Sequence, residues 1–247
     1  MNAAITFGPA LAAVLVLLAV AGAVVVKAGG LGSGRAVLIA AARAVAQLAL
    51  VSLVITAVLR SAPLTGLFVL LMFGIAAVTS ARRVGTRRNL PWTALAIAAG
   101  VAPVLALVLG ARVVPLEPIA VVPIAGIVIG GAMTATSQAA RRALDELKSR
   151  HGEYEAALAL GFLPRPAALE ICRPSAGHAL IPALDQTRTV GLVTLPGAYV
   201  GVLLGGAGPL QAGMTQVLVL IGLLAAEAVS ILVTVQLVAA GKLSRAE

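Results

Sequence analysis

The chain is 247 residues long, 60% hydrophobic and 11% charged, with a formal net charge of +9 and a mean hydropathy of +1.07. A soluble domain of this size is close to half apolar and a quarter charged, so the shortage of charge excludes an ordinary soluble globule. It also assigns the surplus of Lys and Arg to the loops of a multi-spanning membrane protein rather than to a nucleic-acid interface.

Taken in chain order, apolar runs of the roughly 20 residues needed to cross a bilayer are found at 5–26, 36–59, 63–80, 92–110 and 119–136. After a polar stretch come two more, at 179–204 and 212–240. The fold class expected is therefore all-α: a polytopic membrane protein of about seven transmembrane helices forming a single transmembrane domain over 1–247. The first run is expected to be a retained helix. Its lead-in, MNAA, carries no positive charge, and the run is longer than a signal-peptide core.

With the N-terminus outside and the C-terminus cytoplasmic, fourteen of the 18 basic residues fall in inside segments. Only Arg60 and Arg112 fall outside, and Arg43 and Arg188 lie within runs. That bias sets the expected orientation in a plasma (inner) membrane.

The polar stretch, about 139–175, is then cytoplasmic and lies between spans five and six. Residues 138–160 read as a helix with Gly152 as a soft spot. Gly161 is suited to a left-handed helix stop, Pro164 and Pro166 to the start of a new helix, and 167–172 to a second short helix leading to Pro174.

Charges at bilayer depth are costly and usually face a cavity or a partner, which singles out five candidates for a translocation path. Arg43 and Gln47 lie one helical turn apart on span two, with Arg43 near enough to the cytoplasmic interface to snorkel there. Asp185 and Arg188, three apart, can form a local pair or line the path. Glu227, midway along span seven, is either a cation-attracting group or the partner of Arg43 or Arg188.

Pro196 followed by Gly197 is expected to interrupt span six. Small residues at four-residue spacing, Gly126 with Gly130 and Gly197 with Gly201 and Gly205, are expected where helices approach closely. No metal site is expected: Cys172 is the one cysteine, His151 and His178 are not at ligand spacing, and Met133 is assigned to packing.

Glu155-Ala156-Ala157, three residues, Gly161, nine residues, Ile171, two residues, Pro174 resembles the EAA loop of ABC-transporter permeases, although Arg173 stands where that loop usually has Leu. The resemblance implies that Glu155, Ala156, Ala157, Gly161 and Pro164 couple the chain to a separate ABC ATPase subunit. The chain has no phosphate-binding G-x-x-x-x-G-K-[ST] of its own, so ATP and Mg would be bound by that partner.

The stretch 189–205, TVGLVTLPGAYVGVLLG, together with GGAMTATSQA at 130–139 and RAVAQL at 43–48, is similar to a small bacterial iron-export permease family related to plant aluminium-tolerance permeases. That likeness implies a permease homodimer with two ATPases in the lipid bilayer, exporting a metal ion, iron by analogy. The alternative class is an ATP-independent secondary transporter or channel. An enzyme is not expected, because neither H-E-x-x-H nor G-x-S-x-G is present.

Overall fold

The computed structural model describes residues 8–245, so positions 5–7 of the first expected span lie outside the described residues. These residues are helical throughout, without a named strand, and divide into two compact units at Arg60/Ser61.

The first unit is a helical hairpin of α1 (Pro9–Ala28) and α2 (Gly34–Val58). Pro9 sits in the first turn of α1, where a missing N–H costs no intrahelical bond. The connection turns at Gly30, with φ +65°. At Gly34 the start of α2 runs against the Ala23 carbonyl of α1 so closely that an added Cβ would clash with it. Nearly all other side chains of the hairpin, among them Leu17, Val25 and Leu53, point outward and are apolar, as lipid-facing helices require.

The second unit holds α3 (Ala62–Val84), α4 (Leu90–Gly110), α5 (Pro118–Ser149), α6 (His151–Ala159), α7 (Pro164–Gly177), α8 (Ile181–Thr189), α9 (Gly197–Leu204) and α10 (Pro209–Ala239). α10 packs along α5 and α4, and α3 packs along α5 and α4. The core they enclose centres on Ile97, Val128, Ala132, Val219 and Ala226. Hydroxyls cross-link the helices within it. Thr93 Oγ1 donates to the Ala77 carbonyl at 3.1 Å, and Ser137 Oγ to Ser80 Oγ at 3.0 Å, the kind of contact that holds helices together where apolar burial alone does not favour association.

Among the described residues, six helices are long and apolar enough to cross a membrane. The expected sixth span is instead made in two pieces. Arg165 of α7 bonds Gln236 near the end of α10 at 2.6 Å. α10 has 31 residues and so extends about 45 Å. The chain must travel from α7 to the far end of α10, and it does so through α8, an unwound segment and α9, which lies against α10. The expected span 179–204 is thus not one helix.

The reason for the break is local. Gly191 takes φ +80°, its N–H bonds the Thr194 carbonyl at 2.9 Å, and Pro196 has no N–H with which to continue a helix. The all-α polytopic class stands, with the expected span 179–204 broken in the middle.

At the end of the bundle near Asn89, residues 242–245 fold back onto the helices. Asn89, 1% exposed, donates from Nδ2 to the Ser244 carbonyl at 2.8 Å and accepts the Ser244 N–H on Oδ1 at 3.3 Å. Leu243 is buried, Lys242 Nζ lies 5.3 Å from the Trp92 ring centroid, and Arg245 pairs with Asp145 at 2.7 Å. Asn89→Leu removes both bonds to Ser244 and is expected to cost about 1–3 kcal/mol. The tail should become cleavable after Lys242 under mild trypsin treatment; resistance equal to that of the parent chain would show the clasp to be dispensable.

Candidate functional site

The elbow is built by α6 and α7. α5 continues without interruption from the apolar bundle to Ser149, and the axis breaks at Arg150 (φ −107°, ψ 32°), two residues before the expected soft spot Gly152. Arg150 Nε bonds Glu153 Oε1 at 2.8 Å, its Nη2 bonds Glu153 Oε2, and its Nη1 lies 3.5 Å from Glu146. The Arg150 hydrogen bond holds the Glu153 carboxyl below its usual range. The charges of Arg150 thereby join the end of α5 to the start of α6.

α6 ends in a Schellman motif. The Phe162 N–H bonds the Ala157 carbonyl at 3.0 Å, the Gly161 N–H bonds the Leu158 carbonyl at 2.9 Å, and Gly161 takes φ +91°. Ala157 and Gly161 occupy the two ends of that motif, which explains in backbone terms why a glycine follows the Ala pair after three residues. Pro164 then opens α7 in its first turn. α7 is longer than the expected 167–172, and Pro174 lies inside it rather than at its end.

The elbow has two faces. Ala167, Ala168, Ile171, Cys172 and Ala176 are buried against α5 and α10, and burial pushes the Cys172 thiol up, which suits packing rather than reaction. The other face is open. Glu155 and Ala156 are exposed, and the tip carries Leu160 at 82%, Phe162 at 54% and Leu163 at 71% exposure. Glu155 is held by His151 Nε2 at 3.3 Å.

A cavity of about 1190 Å³ lies at the far end of this unit, between the start of α5, the unwound segment, α9 and α10. Its wall is largely aliphatic, with Gln186, Gln211, Thr215 and Gln216 as its polar side chains. Pro196 and Gly197, the expected helix break, both line it.

Within the second unit, Glu227 is not brought to the Asp185–Arg188 pair. Asp185 and Arg188 face outward on α8 and pair with each other at 3.5 Å, while their neighbour Gln186 faces the cavity. Arg43 and Gln47 lie one turn apart, exposed, on α2. Glu227 is 8% exposed, and no hydrogen bond or ion pair engages it among the described residues. It lies against Gly131 of α5, where an added Cβ would come within 2.6 Å of its Oε1. One turn on, Ser230 Oγ is buried without a hydrogen-bond partner, as is Thr136 Oγ1 of α5. Glu227 thus faces α5, whereas the Ser230 hydroxyl lies against Gly100 of α4.

No group of three or more metal-ligating side chains occurs among the described residues. The cavity glutamines are functional candidates that a search for buried charge passes over, because an amide is neutral. Their signal in the sequence is QAGMTQ, two amides at the head of an otherwise apolar run.

The family model described as "Uncharacterised protein family (UPF0014)" matches residues 9–241. The chain belongs to this family. Among its UPF0014 relatives is the rice "UPF0014 membrane protein STAR2" (Oryza sativa subsp. japonica), 37% identical over 205 residues, covering 81% of this chain and 71% of the relative. The Bacillus subtilis "UPF0014 membrane protein YjkA" is 32% identical over 202 residues, 81% of each chain. The Escherichia coli "Probable iron export permease protein FetB" is 32% identical over 139 residues, 56% of this chain and 54% of that one. No solved structure matches this UPF0014 chain. The family and the six long apolar helices make it a multi-pass membrane protein of a permease family.

Proposed function

We propose that this chain is the membrane-spanning subunit of an ATP-driven exporter, with the elbow α6–α7 as the contact for a separate ATPase. The observation that carries the reading is the open elbow tip. Leu160, Phe162 and Leu163 are exposed on a bend whose other face is buried, and apolar side chains gathered on a polar connector mark an interaction site. Ala156 permits close approach, Glu155 offers charge, and the Gly161 turn fixes the angle.

In this reading ATP and Mg are bound by the partner, and the functional unit is two copies of the chain with two ATPases. Residues 1–247 act as one permease domain, with the N-terminus outside and the elbow and C-terminus in the cytoplasm. The orientation is supported by the distribution of Lys and Arg.

Glu227, Asp185 and Arg188 are proposed as polar groups of the path, and Arg43 with Gln47 as a separate candidate on the first unit. Iron as cargo is taken from the name of the Escherichia coli relative. A strain lacking this chain, grown in excess iron, is expected to hold more cell iron than its parent, and a strain lacking the ATPase should match it. Unchanged iron would remove the cargo, and divergence of the two strains would remove the shared machine.

A further inference from the structure

The cavity at the far end of the second unit is not used by the elbow, and its chemistry is specific. At about 1190 Å³ it exceeds most small-molecule pockets, which run to roughly 1,000 Å³. No Asp, Glu, Lys, Arg or His lines it among the described residues. Ile119, Ile124, Ile127 and Leu223 give it an aliphatic wall.

One group of hydrogen-bond donors lies at the start of α9. Gly197 and Ala198 line the cavity, and their N–H groups belong to the first turn, which has no intrahelical acceptor. The next amide, Tyr199 N–H, donates to Gln216 Oε1 at 3.2 Å. With Oε1 fixed as the acceptor, the Nε2 group of the same side chain is left as a donor beside the helix end. No acceptor engages it among the described residues, although Gln216 is only 4% exposed. Two backbone N–H groups and a buried amide NH₂ therefore meet at the positive end of a helix, inside a cavity that holds no carboxylate.

Such a cluster favours an oxyanion. A bare divalent cation favours carboxylate or imidazole ligands, and neither lines the cavity among the described residues. The apolar wall then suits the rest of the molecule.

We infer that this cavity binds an amphipathic organic anion. Its carboxylate or phosphate oxygens meet the Gly197 and Ala198 amides and Gln216 Nε2, and its apolar body lies along α5 and α10. It stands as a binding site apart from the transport reading above. The same oxyanion chemistry could come from the headgroup of an anionic phospholipid or from a water-borne solute.

The test is calorimetric titration of the full chain in phosphatidylcholine nanodiscs, without any ATPase, using hexyl phosphate, hexanol, hexyltrimethylammonium and ferrous ion as probes. Hexyl phosphate is expected to bind at least about tenfold more tightly than the other three. Gln216→Glu keeps an acceptor for Tyr199 N–H but replaces the donor by a carboxylate, and should weaken hexyl phosphate by about tenfold or more at unchanged Tm. Gly201→Leu projects into open space, since a Cβ there meets nothing within 4 Å, and should abolish binding by filling the cavity.

Equal binding of hexanol, tighter binding of the cationic probe or of ferrous ion, or indifference to both substitutions would overturn the assignment. Repeating the titration with phosphatidylglycerol in the nanodisc separates the sources. A tenfold loss of hexyl phosphate affinity identifies the lipid headgroup, and an unchanged affinity identifies a soluble anion; both uphold the oxyanion site. Because no ATPase is present, failure here leaves the elbow reading untouched, and failure of the elbow reading leaves this result untouched.

Discussion

Gly161→Val is expected to leave the chain inserted and folded but to lower its stimulation of the partner ATPase by about tenfold or more. Gly161 holds φ +91°, a region that costs an ordinary L-residue about 1–2 kcal/mol and a β-branched one more. The elbow can relieve that strain by unwinding the Schellman turn, which releases the Ala157 and Leu158 carbonyls and re-aims Leu160, Phe162 and Leu163. The bundle itself need not move, because Gly161 is exposed and a Cβ there meets no neighbour within 4 Å. The loss is therefore one of coupling, and coupling energies of about 1–3 kcal/mol correspond to factors of roughly five to 150.

Glu155→Lys should act in the same direction by reversing an exposed charge and breaking the His151 contact. Gly152→Ala, on α6 with open space around it, should be silent. Hydrolysis of ATP by the reconstituted complex reads all three. Activity within twofold of the parent for both Gly161→Val and Glu155→Lys would remove the elbow from the coupling mechanism.

Much of this elbow is legible in the sequence alone. Its polarity stands out against apolar flanks, and Gly161 and Pro164 state a stop and a start in residue types that have few other uses at that spacing. The six long spans are legible because about 20 apolar residues in a row match the thickness of a bilayer and little else.

What the sequence obscures is set by which side chains find one another, some of them distant in the chain. The break at Arg150 rather than Gly152 follows from Arg150 bridging Glu146 and Glu153, which outweighs the flexibility of an isolated glycine. Pro174 is expected to end α7, yet the helix continues to Gly177 because Ala176 is buried against the bundle. The tail clasp depends on Asn89 meeting a residue 155 positions away, and neither end of that contact is unusual in its own neighbourhood. Gln216 sits in an apolar run with no charge near it, so only the arrival of α9 reveals what it does.

The glycines make the same point with a sharper consequence. Spacing singles out Gly126, Gly130, Gly197, Gly201 and Gly205. Of these, a Cβ at Gly126 would meet the tip of Met72 at 2.7 Å and one at Gly205 only nearby carbonyls of its own turn, while one at Gly130, Gly197 or Gly201 would face open space. The tightest approaches in the second unit are at Gly100 and Gly131, which no four-residue pattern marks.

A Cβ at Gly100 would overlap the Ala226 carbonyl and the Ser230 hydroxyl of α10. Backbone on one side cannot rotate away, so Gly100→Ala is expected to destabilise the bundle by about 3 kcal/mol, the upper part of the overpacking range. Gly131→Ala meets only the ends of the Leu223 and Glu227 side chains; these can turn aside, and about 1 kcal/mol is expected. Gly130→Ala should be close to neutral.

Reversible unfolding in mixed micelles of rising dodecyl sulfate content would rank the three, and a Gly130→Ala cost equal to that of Gly100→Ala would disprove a backbone-limited crossing of α4 and α10. The ranking bears on transport as well as stability. Ala226 lies beside Glu227, so any substitution that pushes α10 off α4 also shifts Glu227 relative to Gly131 on α5. Transport should then fall with Gly100→Ala even where the protein remains folded, whereas Gly131→Ala should disturb Glu227 by direct contact at a much smaller loss of stability.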